Sequence, residues 1–228
     1  VKPKPKQLPP DTPPAQLAAQ YQKGLKAQAV RARFALLLAL LAALCSVELP
    51  PLPWNALAGE LAALGLEVFQ LRCWVLTALL ALTALLCYEI LAAGAKQFFT
   101  LRPRGESVLL FALLFTLADG LTAPRMPGRA GFMPFSAVTA LGLALALDGE
   151  HRRRRADRMA AKAASQVKTP YVVSIHPTLW SSKPTYTKSS GSSLGFGSQL
   201  QLEDGGHAAY RVAAPLLLLG AMLCALMA

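Results

Sequence analysis

Four acidic side chains lie within or at the ends of long apolar segments: Glu48, Glu89, Asp119 and Asp148. An ionisable group in hydrocarbon is costly, so it commonly serves a function such as pairing with a cation or proton. Glu48, Glu89 and Asp148 lie near segment ends, where an interfacial role is favoured. Asp119 lies roughly two thirds of the way through its segment and precedes Gly120. We therefore take Asp119 as the first candidate for an ion path and Glu89 as the second; alternatively, Asp119 caps a broken helix end near the outer surface.

The cysteines are a second set of side chains that could do chemistry. Cys45, Cys73, Cys87 and Cys224 all lie in or beside apolar segments, and no two of them have CxxC spacing. Isolated cysteines of this kind mostly behave as small apolar residues. The alternative is a transition-metal path that combines cysteine, methionine and aspartate side chains. The sequence leaves a metal cation open as a partner but contains no metal-binding motif.

The sequence contains no catalytic motif. The three histidines, His151, His176 and His207, are scattered, and neither HExxH nor GxSxG occurs. The glycine-rich stretch 191–198 lacks the Lys-Ser/Thr pair that a P-loop requires. We therefore expect no catalytic centre and no cofactor in this stretch of chain, so any enzymatic activity would belong to a longer parent protein.

Five apolar segments position these side chains. Hydrophobic residues make up 54% of the 228 residues and charged residues only 15%, against about 25% in a soluble domain. The segments are rich in leucine and alanine, which favour helix, and each approaches the roughly 17–25 residues that a spanning helix needs. They are residues 34–49, 73–91, 107–123, 131–147 and 212–228. The sequence predicts an all-α transmembrane fold, a multi-pass helical bundle of about five spans with a small β-containing cytoplasmic module.

The apolar segments allow two alternative interpretations. The apolar segments could be buried helices of a large soluble protein, although their length argues against it. The first segment could also be the apolar part of a signal peptide. Its basic leader of 33 residues is long for that role, and no small-residue cleavage site follows it cleanly. We therefore expect the first segment to be retained as a span.

The distribution of lysine and arginine predicts the orientation of the spans. If the N-terminus is cytoplasmic, 20 of the 23 basic residues fall on the inner side and three on the outer side. This is the bias expected of a multi-pass protein of the cell membrane. The net charge of +11 therefore indicates anionic lipid headgroups as partners of the chain in the bilayer. We expect no nucleic-acid partner.

Aromatic and basic residues at the ends of the segments predict contacts with lipid headgroups. Trp54 and Trp74 are expected at headgroup depth on the outer side. Between them, residues 55–72 have the spacing of a short amphipathic helix lying on the outer surface. On the inner side, the fourth span is followed by four consecutive arginines that suit anionic headgroups: Arg152, Arg153, Arg154 and Arg155.

These features divide the chain into four regions. Residues 1–33 form a basic, proline-rich cytoplasmic tail, whose residues 15–33 are predicted to form a basic helix. Residues 34–147 form a four-span transmembrane region. Residues 148–211 form a cytoplasmic module, and residues 212–228 form the fifth span.

The cytoplasmic module is predicted to mix helix and strand. Residues 149–166 extend the fourth span as a basic helix, while 170–175 and 199–204 have the pattern of short strands. The intervening residues 181–198 are rich in serine, glycine and threonine and are expected to be flexible. The module is too small for a large core of its own. It could bind a cytosolic protein partner.

The order of features over residues 85–166 resembles the N-terminal membrane region of heavy-metal-transporting P-type ATPases. LCYEILAAGAKQFFTLRPRGES precedes a span, a short loop, a second span that begins FMPFSAVTALGLALALDGEH, and the basic helix RRRRADRMAAKAASQ. The resemblance implies that Gly94 matches a helix bend on the cytoplasmic side. It also implies that PYVVSI, residues 170–175, matches the first strand of the actuator domain.

The chain departs from that family at several points. It lacks the Thr-Gly-Glu loop of an actuator, the phosphorylated Asp-Lys-Thr-Gly and the Cys-Pro-Cys membrane motif. It begins at Val1 and ends inside an apolar segment, so we expect a fragment of a larger polytopic protein. The expected function is the membrane-embedded N-terminal part of a P-type-ATPase-like cation transporter. The alternative is a membrane scaffold that transports nothing and whose cytoplasmic module binds a partner.

Overall fold

The computed structural model of the chain describes residues 12–47, 54, 60, 67–126, 133–166, 171–176, 185–191, 196–200 and 205–227. These residues are mostly helical. The helices are α1 (Pro14–Gln22), α2 (Leu25–Ser46), α3 (Val68–Leu86), α4 (Tyr88–Phe99), α5 (Gly105–Thr122), α6 (Ser136–Gln166), α7 (Phe196–Leu200) and α8 (Gly205–Met227). The strands are β1 (Tyr171–His176) and β2 (Thr185–Ser190), and a 3-10 helix covers Ala123–Arg125.

The chain divides into two compact units. The helical unit comprises the described residues within 27–151 and 204–228, and the mixed unit those within 1–26 and 152–203. The helical unit therefore contains nearly all of the predicted spans. The mixed unit combines the N-terminal tail with most of the predicted cytoplasmic module.

Helix α2 has small side chains on its buried face and large ones on its exposed face. Ala32, Ala35, Ala39 and Ala42 are buried, at intervals of three or four residues. The opposite face exposes a series of large apolar residues: Phe34, Leu36, Leu37, Leu40, Leu41 and Leu44. In water this arrangement would expose a large apolar surface, whereas in lipid it lets helices approach closely and leaves the leucines to the acyl chains.

Four helical segments share the core of the helical unit. The alanines of α2 pack with Leu80 and Ile90 on the second segment and with Leu113 of α5. Helix α6 contributes Ala140, Leu143, Ala144 and Leu147 to the same core. Ala140 and Ala144 of α6 thus pack in the same core as the alanines of α2, and such small residues let helices approach closely. Ala78 and Ala81 of α3 are instead exposed.

Three helices of the described residues are long and apolar enough to cross a membrane: Pro14–Ser46, Val68–Leu86 and Gly105–Arg125. They correspond to the first three predicted spans. The fourth predicted span, 131–147, overlaps only the first part of α6, which then continues into Asp148 and Glu150. The fifth predicted span, 212–228, contributes the shorter apolar stretch Val212–Met222 within α8. The prediction of a mostly helical fold is confirmed, and three of the five predicted spans are helices long and apolar enough to cross a membrane.

The second predicted span, 73–91, is divided at Cys87. Helix α3 ends at Leu86 and α4 begins at Tyr88, and the Cys87 amide donates to the Thr83 and Ala84 carbonyls at 3.1 Å each. Helix α4 then turns back through residues 100–104 into α5. Gly94 of α4 lies where the start of α5 approaches most closely, and the Ser107 hydroxyl donates to the Gly94 carbonyl at 3.0 Å.

The mixed unit differs from the sequence prediction at its second strand. The basic helix over 149–166 is confirmed as the continuation of α6, and the strand predicted over 170–175 is confirmed as β1. The partner of β1 is β2, which lies in the stretch expected to be flexible; the two pair antiparallel from Tyr171↔Ser190 to His176↔Thr185. The strand predicted over 199–204 was wrong in its described part, because residues 199–200 end helix α7.

Other sequence predictions fall at the edge of the described residues. The basic helix predicted over 15–33 is confirmed, with an interruption at Gly24, whose φ of 78° suits glycine. Residues 1–11 of the tail lie outside the described residues. So does most of the amphipathic helix predicted over 55–72, although its last residues, from Val68, form the first turns of α3.

Candidate functional site

Asp119 lies in the penultimate turn of α5. Its side chain is half-buried. Its backbone carbonyl accepts the amide of Ala123 and, at 3.2 Å, the Thr122 hydroxyl. Because a 3-10 helix follows directly at Ala123, Asp119 stands where the regular helix is about to end. Both of its predicted settings, a carboxylate within a span and one near the end of a broken helix, are compatible with this position.

A pair of buried threonines lies one turn away from Asp119. The hydroxyl oxygens of Thr116 on α5 and Thr139 on α6 are 2.9 Å apart, and each residue is 9% exposed. The Thr116 hydroxyl also lies 2.7 Å from the Ala112 carbonyl, one turn back on its own helix. The Thr116–Thr139 contact therefore joins two helices within an otherwise apolar interior. Sequence reasoning missed it, although the threonines at the interior of two apolar segments were a usable signal.

Two further polar groups lie near this pair. Ser136 begins α6 one turn before Thr139, and it is 0% exposed. Its Oγ has no hydrogen-bond partner among the residues that the structure describes. On the other side of α5, Gly120 packs against the Thr77 hydroxyl of α3 so closely that a Cβ atom there would overlap with it. Thr77 in turn donates to the Cys73 carbonyl at 2.8 Å.

Glu89, the second predicted ion-path residue, forms an ion pair with Arg31. The Arg31 guanidinium donates to Glu89 Oε1 at 2.8 Å, and the Tyr88 hydroxyl lies 3.2 Å from the same oxygen. The guanidinium carbon also lies 5.4 Å from the centre of the Tyr88 ring. These contacts join the start of α2 to the start of α4. Both ends are predicted to be cytoplasmic, and their contact agrees with an antiparallel pairing of the first two predicted spans.

Removing the Arg31–Glu89 ion pair is expected to destabilise the helical unit only modestly. The pair is partly exposed, at 24% and 41% of the two side chains, so solvent screens the attraction. A double-mutant cycle with Arg31→Gln and Glu89→Gln should therefore give a coupling energy of about 0.2–1 kcal/mol. The measurement is thermal unfolding in detergent micelles at two salt concentrations. A coupling energy above this range, or one that salt leaves unchanged, would contradict the assignment of a partly exposed pair.

A buried arginine joins the first two predicted spans at the ends that lie away from the Arg31–Glu89 ion pair. Arg72 of α3 donates to the Cys45 and Ser46 carbonyls at 3.3 and 3.1 Å. These are the last carbonyls of α2, which have no partner within their own helix. The Trp54 ring lies 5.9 Å from the guanidinium carbon. Trp54 thus packs on the end of α2 and is half-buried, whereas Trp74, the other predicted headgroup residue, is 39% exposed.

The four predicted headgroup arginines follow one another along α6 in the mixed unit. Arg152, Arg153 and Arg155 are exposed and Arg154 is half-buried. Asp157 lies on the same helix, and burial raises the pKa of its carboxyl above 3.8 although Arg153 works in the opposite direction. Tyr21 of α1 lies close enough to Asp157 to interact electrostatically. The α1 helix therefore packs near the basic part of α6.

Stability of the mixed unit is expected to depend on the titration of Asp157. Because the pKa is raised on folding, the unfolded state releases the proton first, and stability falls as pH rises from about 3.8 through the raised pKa. Asp157→Asn removes this titration. We expect the variant to lose less stability than the wild type as pH rises above about 4, the ordinary pKa of an aspartate. Parallel thermal melts of the two proteins over a series of rising pH values would measure it, and identical slopes for the two proteins would contradict the prediction.

The cysteines within the described residues behave as the apolar residues that the sequence predicted. Cys45, Cys73 and Cys87 are buried and form no disulfide with one another. Cys87 places its thiol 3.5 Å from the Leu143 carbonyl of α6. Among the residues that the structure describes, no three histidine, cysteine, aspartate or glutamate side chains are grouped to hold a metal ion. The side chain of Cys224 lies outside this set.

Comparison with known proteins adds no relative. No protein-family model, no curated protein and no solved structure matches the chain. The class of the protein accordingly rests on its own features. It is a mostly helical chain in which three helices are long and apolar enough to cross a membrane.

Proposed function

We propose that the chain is the membrane-embedded N-terminal part of a cation transporter of the P-type ATPase kind. It would have five spans and a cytoplasmic N-terminus, and residues 148–211 would lie in the cytoplasm. Asp119 carries this proposal, because it is a half-buried carboxylate in an apolar helix and lies one turn from the Thr116–Thr139 hydroxyl pair. Ionisable groups in such positions are typical of ion and proton pathways.

The antiparallel pairing of the first two spans is supported by two contacts at opposite ends of these spans, while the predicted orientation rests on the distribution of lysine and arginine. The Arg31–Glu89 ion pair lies at the predicted inner end, and the Arg72 contacts with Cys45 and Ser46 lie at the predicted outer end. Both agree with an antiparallel pair of spans. The test is a cysteine introduced at Ser190 or at Arg125, labelled in intact cells with an impermeant reagent. Labelling of Arg125→Cys but not of Ser190→Cys is expected, and the reverse pattern would overturn the orientation.

The ion-path role of Asp119 is tested by Asp119→Asn in the native transporter. Loss of transport, or of metal tolerance in cells, is expected because a neutral amide no longer attracts a cation. Asp148→Asn is the matched control, since Asp148 lies where α6 leaves its apolar part and is predicted to be interfacial. Unchanged transport in Asp119→Asn would refute the role. The intact mass of the protein from its source membrane, expected at several times 24.2 kDa, tests whether it belongs to a larger chain.

A second candidate function, a membrane scaffold, is supported by the exposed surface of the β-hairpin. Tyr171, Val173 and Tyr186 are each about 60% exposed, and their positions in the register place them on one face of the two strands. Such a face would suit a cytosolic protein partner. If the scaffold is correct, Tyr186→Ser abolishes a specific partner's binding to the full chain while Asp119→Asn leaves it intact. If the transporter is correct, Asp119→Asn abolishes transport and Tyr186→Ser leaves transport intact.

A further inference from the structure

Oxygen-bearing side chains from two neighbouring helices meet at one level of the helical unit. Thr116 of α5 and Thr139 of α6 touch through their hydroxyl oxygens, and Gly142 of α6 lies opposite Leu109 of α5. Between these two contacts the residue number rises along α5, from Leu109 to Thr116, and falls along α6, from Gly142 to Thr139. The two helices therefore run antiparallel.

This antiparallel arrangement sets the positions of Asp119 and Ser136. Asp119 lies three residues after Thr116, and Ser136 lies three residues before Thr139, so each is one turn beyond the hydroxyl pair in the same direction. Residues three apart on a helix share a face. Asp119 and Ser136 thus lie at the same level on neighbouring helices.

Burial distinguishes this level from an ordinary helix contact. Ser136 is 0% exposed, and its Oγ lacks a hydrogen-bond partner among the described residues, although a buried hydroxyl is costly without one. An unsatisfied buried hydroxyl at the level of a half-buried carboxylate, one turn from a pair of threonine hydroxyls, points to a ligand that accepts oxygen donors.

The donor set indicates the chemistry of that ligand. Carboxylate and hydroxyl oxygens are hard donors, which suit alkali and alkaline-earth cations and not the soft metals that select thiolate or thioether. The single carboxylate balances one positive charge, and an uncompensated second charge would be costly in an apolar surrounding. A monovalent alkali cation therefore fits better than a divalent one.

We propose that Asp119, Ser136, Thr116 and Thr139 form a binding site for a monovalent alkali-metal cation between α5 and α6. The inference rests on the proposed function only for the ion-path role of Asp119, and it names the class of ion that this residue takes. Ser136 and Asp119 supply oxygens from the two helices, and the hydroxyl pair closes the site toward the core of the helical unit.

The test is thermal unfolding of the full chain in detergent micelles with added lithium, sodium, potassium or choline chloride at equal ionic strength. Stabilisation by a ligand that binds only the folded state grows with its concentration relative to Kd. We expect at least one alkali cation to raise the unfolding midpoint by a few degrees beyond choline. Absence of such a rise for all three alkali cations overturns the site.

Single substitutions test which residues are responsible for the rise of the unfolding midpoint with the cation. Asp119→Asn should weaken the apparent affinity for the cation by about tenfold or more, because it removes the charged ligand. Ser136→Ala should weaken it less, and it keeps the proposal testable if Asp119→Asn fails to fold. Thr100→Ala is the control, since this exposed hydroxyl at the end of α4 donates to the Lys96 carbonyl of its own helix at 3.0 Å. A cation response unchanged in both site variants would overturn the proposal.

The same measurements separate this inference from the proposed function. A cation-dependent midpoint that is lost in Asp119→Asn supports the site even if the native protein transports nothing, in which case only the transporter fails. Loss of transport in Asp119→Asn without any cation-dependent midpoint supports the transporter and overturns the alkali-cation site.

Discussion

Replacing Gly94 with alanine is expected to destabilise the helical unit by about 1–3 kcal/mol. A Cβ at this position would overlap with the Glu106 carbonyl oxygen and would lie 2.7 Å from its carbon and 3.1 Å from the Ser107 nitrogen. These are backbone atoms, so no side-chain rotation can relieve the overlap. Helices α4 and α5 would have to separate, which would also stretch the 3.0 Å hydrogen bond from the Ser107 hydroxyl to the Gly94 carbonyl.

Gly149→Ala is the matched control for Gly94→Ala. Gly149 lies inside α6, and a Cβ built there meets nothing within 4 Å. Its replacement should be stabilising by about 0.5–1 kcal/mol, because alanine loses less backbone entropy than glycine in a helix. Thermal unfolding in detergent micelles measures both variants. Effects of the same sign would show that helix propensity, and not the close approach of α5, decides the outcome at Gly94.

Much of the helical architecture could be predicted from the sequence because apolar length is a local property. The first three apolar segments became the three helices that are long enough to span. Gly94 was also named in advance, as the bend implied by the P-type ATPase resemblance, although the contact that requires glycine lies with Glu106 on the next helix. Which residue Gly94 contacts on the next helix depends on tertiary packing, which a single sequence does not show.

The polar contacts between helices could not be predicted for the same reason. Thr116 and Thr139 are 23 residues apart, and nothing in their local sequence links them. Glu89 was the second candidate for an ion path and Arg31 entered only in the count of basic residues, yet the two form one ion pair. Such pairs are set by the register between helices, which depends on how small residues such as Ala35 and Ala39 let the helices pack.

The β-hairpin shows where composition misled the sequence analysis. Residues 185–190 (TYTKSS) were included in a flexible serine- and glycine-rich stretch, but Thr185, Tyr186 and Thr187 are residues that favour strand. Pairing with β1 supplies the hydrogen bonds that an isolated strand lacks. The alternating pattern of residues 199–204 was too short to decide between strand and helix, and residues 199–200 end a short helix.

Replacing Arg72 with glutamine is expected to destabilise the helical unit by about 2–3 kcal/mol. Arg72 is 4% exposed, and its guanidinium donates to the Cys45 and Ser46 carbonyls at the end of α2. Positive charge at a helix C-terminus is also favoured by the helix dipole. Glutamine is shorter and neutral, so both carbonyls lose their charged donor and the contact with the Trp54 ring is removed.

A matched exposed arginine separates this effect from the loss of charge alone. Arg125 is exposed and lies in the other predicted outer loop, between the third and fourth predicted spans, so Arg125→Gln should change stability by no more than about 0.5 kcal/mol. Arg72→Lys should destabilise the helical unit more than Arg125→Gln and less than Arg72→Gln, because lysine keeps the charge but lacks the planar fork of donors.

Maleimide labelling of Cys45, which is 6% exposed, adds a local readout of the effect of Arg72→Gln. Faster labelling in Arg72→Gln is expected because the end of α2 is released, whereas unchanged labelling and stability would mean that the apolar packing of Ala42 and Leu76 beneath it holds that end without the arginine.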